Sequence, residues 1–362
     1  MVNIPDNAAT VLGGGSWGTG LAHILASHGY DTLLWLRDQK IANEVNKDHT
    51  NRRYLKGGKL HEGVRATTDL TVAVSHAEVV LVVIPSKAFR SIASEIGAHV
   101  TGDQVLISAT KGLEGEKLVR MSQILEEETC ARKVGALSGP NLAAEVVAGH
   151  PSATVVASAF EEVIEKAERL LAGPGFKLYG NTDLVGVGLG GALKNIYAIA
   201  AGVSAGLGFG DNTLSALITR GLSEMSRLGE PFGADRLTFQ GLAGVGDLVA
   251  TCSSNLSRNH TVGRHLAVGE PLEQIVENLG MVAEGVNTTR AVHDYALAHG
   301  VDMPIAAAVH RLLFEGATPE VALAELMERP SRYEDHHGPI QGGGPGAYSV
   351  VEVAARSRWG SS

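Results

Sequence analysis

Apolar and polar positions alternate in two regimes along the chain. In the first half, short apolar and partly β-branched runs cover residues 8–12, 31–36, 64–67, 79–84, 105–108, 134–137, 153–157 and 177–179. Mixed-polarity segments of helical length lie between or after them, at residues 19–27, 41–46, 86–98, 117–128 and 161–171. This strand–helix alternation predicts a parallel sheet with helices on both faces. The run at 79–84 is the most apolar and is predicted to be central. Pro85 stops it at the carboxyl end, the side on which such sheets bind ligands. Beyond Gly186 the alternation ends. Residues 192–328 read as mainly helical, and Thr182-Asp183 reads as the cap of the first long helix. Past Arg329-Pro330 the composition shifts to a Gly-rich stretch that reads as a flexible extension, residues 331–362.

The first strand runs into GGGSWG. Gly13, Gly15 and Gly18 match G-x-G-x-x-G, with a strand before and a helix after. Each glycine has a separate task in dinucleotide binding. Gly13 permits the tight turn, Gly15 removes a side chain where a pyrophosphate approaches, and Gly18 lets the helix pack closely. Arg37 and Asp38 close the second strand, where the ribose selector of such folds stands. Asp38 would hold ribose hydroxyls and Arg37 an extra phosphate, so NAD and NADP both stay open. The basic loop 51–58 reads as solvated surface that could help hold charge.

Net charge of −9 speaks against nucleic acid and anionic membranes as partners. The two cysteines, Cys130 and Cys252, make neither a disulfide framework nor a metal-ligand spacing, which fits a cytoplasmic protein. No secretory signal pattern is visible, and no run reads as a membrane span, because the long run after Gly186 is Gly-rich and interrupted by Lys194. Lys194 lies in LGGALKN among small and apolar residues, where loss of hydration favours the neutral amine and suits a general base. Lys111 follows a central strand and points to the same crevice. Ser138, Gly139 and Pro140 form a turn, and Asn141 stands near a helix start, as a cap would. Gly241 to Gly246 lets backbone approach closely, and Asp247 follows. Ser253, Ser254, Ser257, Arg258 and Asn259 combine a guanidinium with neutral donors, the composition of a phosphate site. His336-His337 has no acidic partners at ligand spacing, and no metal site is expected.

The blocks GGGSWGTGLA, VVIPSKAFR, ATKGLEG, LSGPNLAAEV, LGGALKNIYAIAAG, GLAGVGDLVATC, SRNHTVG and MVAEG occur in this order between residues 8 and 328. With them the chain resembles the bacterial NAD(P)-dependent sn-glycerol-3-phosphate dehydrogenases. The resemblance implies an α/β Rossmann-type dinucleotide-binding domain, residues 1–186, followed by an all-α catalytic domain, residues 187–330, in a homodimer. It implies reversible reduction of dihydroxyacetone phosphate to sn-glycerol 3-phosphate by NADH or NADPH, for phospholipid synthesis. Carried over by position, Ser16, Trp17, Arg37, Ala143, Val282 and Glu284 match cofactor contacts, and Lys111 and Arg258 match contacts to both ligands. Gly139, Asn141, Asp247, Ser257 and Asn259 match substrate contacts, and Lys194 the proton-transfer residue. Asn141 stands where the family more often has Ser or Thr, and the extension is unlike the family's short end. A related β-hydroxyacid or 6-phosphogluconate-type dehydrogenase shares the architecture but has no need of the Ser257-Arg258-Asn259 cluster. A protein that only senses NAD(P)H would not need Lys111, Lys194 and Asp247 together.

Overall fold

The computed structural model describes residues 7–280 and 283–329. Val282 and the 331–362 extension, with His336 and His337, lie outside the described residues. The first half runs β1 (Ala8–Leu12), α1 (Ser16–Ser27), β2 (Asp31–Trp35), α2 (Gln39–Asp48), β3 (Val64–Thr67), α3 (Leu70–His76), β4 (Val79–Val82), α4 (Ser86–Gly97) and β5 (Val105–Ser108). A ribbon of β6 (Leu113–Glu114) and β7 (Val119–Arg120) follows, then α5 (Met121–Glu128), β8 (Lys133–Ser138) and α6 (Ala143–Val147). β9 (Ser152–Ala157), α7 (Glu161–Leu171) and β10 (Phe176–Asn181) complete the sheet. Its order is β10-β9-β8-β5-β4-β1-β2-β3, which puts β4 beside β5 at the middle, as the apolar run at 79–84 requires. Apolar clusters cover both faces. Leu21, Leu25 and Val163 belong to one, and Phe89, Ile96 and Leu125 to the other.

The sheet is not wholly parallel. β8 and β9 pair antiparallel, with Leu137 opposite Val156, and β9 and β10 then pair parallel to each other. The link from β8 to β9 contains only the five-residue α6. A parallel return needs a crossover that runs back along the sheet, usually a full helix. The expected helix at 117–128 is also shorter, because its start is taken by the ribbon. Gly115 and Leu118 turn the chain there with φ of 63° and 52°. Leu118 accepts this conformation while its side chain is fully buried in the helical core.

The second half is helical: α8 (Leu184–Gly206), α9 (Asp211–Gly229), α10 (Asp247–Ser253), α11 (Arg258–Ala267), α12 (Leu272–Leu279), α13 (Glu284–His299), α14 (Pro304–Phe314) and α15 (Pro319–Met327). Asp183 caps α8 by accepting the Gly186 N–H at 2.7 Å, and its other oxygen accepts the Asp235 N–H at 2.9 Å. α8 is buried on nearly all sides, which makes it the axis of this half. By length and composition it is apolar enough to cross a bilayer, contrary to the sequence expectation, but 78% of its apolar window is buried inside the protein.

Glycines let α11 lie against α8 backbone to backbone. A Cβ at Gly202 would sit 2.0 Å from the His260 carbonyl oxygen, and one at Gly263 would sit 2.0 Å from that of Ile199. Helix axes this close bring many atoms into dispersion contact and leave no room for a methyl group. Gly263→Ala is therefore expected to destabilise the fold by about 1–3 kcal/mol despite the better helix propensity of Ala. Gly102→Ala, at an exposed turn where a Cβ meets only the Cys130 carbonyl oxygen at 3.7 Å, should stay within about 0.5 kcal/mol of wild type. Urea denaturation of the two variants checks the contrast.

Candidate active site

Gly13, Gly15, Ser16, Trp17 and Gly18 come together at the carboxyl end of β1. Gly13 has φ of 129°, and a Cβ there would lie 2.1 Å from the Val83 carbonyl oxygen. A Cβ at Gly18 would lie 1.9 Å from the Gly13 carbonyl oxygen, so this glycine closes the turn on itself. Around Gly15 a Cβ meets nothing within 4 Å. No side chain caps α1, so among the described residues its first N–H groups face an open surface at Gly15. That is the arrangement a pyrophosphate requires, and these residues fit a dinucleotide. The buried Trp17 Nε1 has no hydrogen-bond partner among the described residues. Ala143, carried over as a cofactor contact, packs partly buried against the core beside α1. Asp38 does not stand free at the end of β2. It caps α2 through the Lys40 N–H at 2.9 Å, while Arg37 beside it is exposed.

The two lysines meet at one carboxylate. Lys111, after β5, reaches Asp247 Oδ2 at 2.6 Å and donates to the Gly139 carbonyl oxygen at 2.8 Å. Lys194, on α8, lies 2.8 Å from Asp247 Oδ1 and donates to Thr251 Oγ1 at 2.5 Å. The Thr251 hydroxyl donates in turn to Asp247 Oδ1 at 3.1 Å. Asp247 is 1% exposed and Lys194 8%. Burial alone would raise the Asp247 carboxyl, but the two ammonium groups outweigh it and hold the carboxyl below its usual range. Burial, aided by the Lys194 charge and opposed by Asp247, brings Lys111 down to about 8. Burial also pushes the neighbouring Cys252 thiol up to about 12, which keeps it protonated. The cluster holds two cations and one anion, so it is a local positive site in a chain of net charge −9.

Glycines of α8 serve this cluster by admitting protein. A Cβ at Gly190 would lie 2.6 Å from the Ala243 carbonyl oxygen, and one at Gly191 would lie 2.5 Å from Ser138 Oγ and 3.4 Å from Lys111 Cγ. The close approach read at 241–246 is also internal. Leu242–Gly246 forms a π-helical turn, and a Cβ at Gly244 would lie 1.9 Å from the Phe239 carbonyl oxygen. That turn delivers Asp247 to the start of α10.

The polar cluster lies at the start of α11. Ser257 caps the helix by accepting the His260 N–H at 3.3 Å, and Arg258, its first residue, is exposed. Although the residue as a whole is exposed, protein packed around its guanidinium lowers Arg258, with the Glu284 carboxylate acting against it. Asn259 is occupied within the protein: its Nδ2 donates to Asn195 Oδ1 at 2.8 Å, and its Oδ1 accepts the Gly285 N–H at 3.0 Å. Asn141 does not cap α6, whose N-cap position is Leu142. Its amide instead donates to the Ala153 carbonyl at 2.9 Å and accepts from Thr154 Oγ1 at 2.9 Å, tying the turn to β9. Glu284, at the start of α13, accepts the Ser86 N–H at 3.0 Å and the Ser86 hydroxyl, joining the helical half to the end of β4.

Family models place this arrangement. The NAD-dependent glycerol-3-phosphate dehydrogenase N-terminus matches residues 8–164, and the C-terminus of the same family matches residues 183–324. The chain belongs to this dehydrogenase family. It is 48% identical over 326 residues to a glycerol-3-phosphate dehydrogenase [NAD(P)+] of Nitratidesulfovibrio vulgaris (strain DP4), covering 90% of this chain and 99% of the relative. A Macrococcus caseolyticus enzyme of the same name is 44% identical over 328 residues, with the same coverage. The crystal structure of a glycerol-3-phosphate dehydrogenase from Coxiella burnetii superimposes with a TM-score of 0.86 at 37% identity, over 90% of this chain and all of that one.

In this family member, sequence reading missed Thr251, Asn51 and Ser86. Thr251 had a signal, since it stands one helical turn after Asp247 (i, i+4). Asn51 was hidden in a loop read for its charges, and Ser86 is marked only by following Pro85. The clamp sets a stability test. Asp247→Asn leaves two buried ammonium groups without their counter-ion and should cost about 3–5 kcal/mol. Adding Lys111→Met should recover part of that loss, as read by chemical denaturation. Equal stability of Asp247→Asn and wild type would show that the clamp contributes nothing to the fold.

Proposed function

We propose that this chain catalyses the reversible reduction of dihydroxyacetone phosphate to sn-glycerol 3-phosphate with NADH or NADPH, supplying the glycerol backbone of phospholipids. The observation that carries the reading is the buried Asp247 carboxylate holding Lys111 and Lys194 together beside the carboxyl ends of the strands. Gly13 to Gly18 and Arg37 would hold the dinucleotide, with Lys111, Ala143, Arg258 and Glu284 beside it. When bound, the nicotinamide supplies the hydride. Lys194, as ammonium, gives its proton to the ketone oxygen, and as amine takes it back in the reverse direction. Asp247 and Thr251 aim the Lys194 Nζ. The Lys111 ammonium and the Asn195 amide, oriented by Asn259, stabilise negative charge on that oxygen. Arg258, with Ser257 at the start of α11, binds the phosphate and supplies binding energy away from the reacting carbon. Gly139 presents its carbonyl to Lys111, and Asn141 holds that turn. We read Asn141 and Asn259 as positioning residues because their amides are engaged within the protein. The reading extends to a homodimer in the cytoplasm, with a dinucleotide domain at 1–186 and a catalytic domain at 187–330. The family resemblance supports it, as do the two cysteines, both free.

NAD(P)H oxidation should depend on dihydroxyacetone phosphate and be absent with unphosphorylated dihydroxyacetone. Equal activity on both would remove the phosphate assignment. Lys194→Ala should lower turnover by about 10² to 10⁴ while NADH affinity stays near wild type. A variant keeping more than about a tenth of wild-type turnover would shift the proton-transfer role to Lys111.

The rate of reduction carries a pH signature. Lys111 is charged below about 8 and loses that charge above it. Its stabilisation of the oxygen is therefore present on the acid side and lost as pH rises through about 8. The kcat/KM for ketone reduction should fall across that range in wild type, and Lys111→Met should abolish this step at a lower plateau.

A further inference from the structure

The region around Asp38 bears on which dinucleotide the protein prefers. Both carboxylate oxygens of Asp38 are occupied: Oδ1 accepts the Lys40 N–H at 2.9 Å, and Oδ2 lies 3.6 Å from Arg53 Nη1. Arg52, the neighbour of Arg53, turns away to Glu44 and Asp48 at 3.9 and 3.7 Å. Of these two consecutive arginines, only Arg53 faces the end of β2. The loop that carries it is fastened to the glycine turn. Asn51, fully buried, donates through Nδ2 to the Gly14 carbonyl and to Thr19 Oγ1, both at 2.9 Å. The Ser16 hydroxyl donates to the Tyr54 carbonyl at 2.5 Å, and the Arg53 guanidinium lies 5.3 Å from the centre of the Tyr54 ring. The glycine turn thus fixes where Arg53 stands relative to Arg37 and Asp38.

The geometry points to Arg53 as a residue that selects NADP(H): together with Arg37 it binds the adenosine 2′-phosphate, and Asp38 is the counter-ion it leaves to do so. The inference rests on the dinucleotide reading above. A phosphate offers a guanidinium two oxygens in fork geometry, against a single 3.6 Å approach to Asp38. NADH has no such phosphate and leaves Arg53 on Asp38. With its carboxylate capping α2 and paired to Arg53, Asp38 is not free to take ribose hydroxyls, so it tunes Arg53 instead of selecting NAD.

The test is calorimetric titration of NADPH, NADH, 2′,5′-ADP and 5′-AMP into wild type and variants at one ionic strength, because exposed charges are screened by salt. Arg53 is more than half exposed, so its replacement leaves folding intact. Arg53→Ala should weaken NADPH and 2′,5′-ADP by about tenfold or more, with NADH and 5′-AMP changed less than about twofold. Arg52→Ala should change none of them. Asp38→Asn keeps a capping side chain and removes the competing charge, so it should tighten NADPH by about two- to fivefold and leave NADH alone. Equal loss of both dinucleotides in Arg53→Ala, no loss of either, or weaker NADPH binding by Asp38→Asn would overturn the assignment. A wild-type protein that binds neither dinucleotide would overturn the dinucleotide reading and this assignment with it.

Discussion

One buried carboxylate carries two ammonium groups, and both halves of the molecule must be placed to permit it. Lys111 comes from the sheet, Lys194 from the central helix, and Asp247 from the turn into α10. Removing three charges from water is unfavourable unless the pairs are close and every remaining donor finds an acceptor. Here Gly139 takes a second proton of Lys111 and Thr251 a second proton of Lys194. The arrangement leaves one positive charge in surplus, which suits an anionic substrate and a developing oxyanion. It also fixes the register between sheet and helices more tightly than apolar contact would, since ion pairs tolerate displacement poorly at low dielectric.

Glycine has two different uses in the two halves. In the turn after β1 it provides a positive φ at Gly13 and an open face at Gly15. In α8 and α11 its conformational freedom is irrelevant. What matters is the missing side chain, which lets Gly190 and Gly191 meet the turn before Asp247 and the stem of Lys111, and lets Gly202 and Gly263 bring two helices into backbone contact. A helix of such composition is weak in isolation and depends on its neighbours for stability.

Legibility followed the range of the interactions. Strands β1 to β5 and the glycine turn are specified by local pattern, and the sequence locates them within a residue or two. Lys111, Lys194 and Asp247 could each be picked out by their neighbours, but nothing local says that one carboxylate takes both lysines. The reversal at β9 depends on how far a five-residue helix can carry the chain, a property of the link and not of the strand. Asn51 and Asn141 were misjudged or missed for a common reason. Their side chains bond backbone groups that come near only after folding, and Asn and Asp at loop positions carry no periodic signature. Thr251 was the exception, since its spacing from Asp247 already placed both on one helix face.

The burial of α8 has a consequence for synthesis. This helix leaves the ribosome as an apolar segment, with a mean hydropathy of 1.4 over its best window. The helix that lies closest against it, α11, begins only at Arg258. At roughly 5–20 residues per second, several seconds of elongation separate the two. For that interval the nascent chain presents a greasy rod with its complementary surface still untranslated. The sheet, already complete, is the one folded surface available to shelter it, and β8 is the part of it against which α8 finally rests. The order of the two halves along the gene therefore matters: the early-folding layer serves as a scaffold for the segment most prone to aggregate.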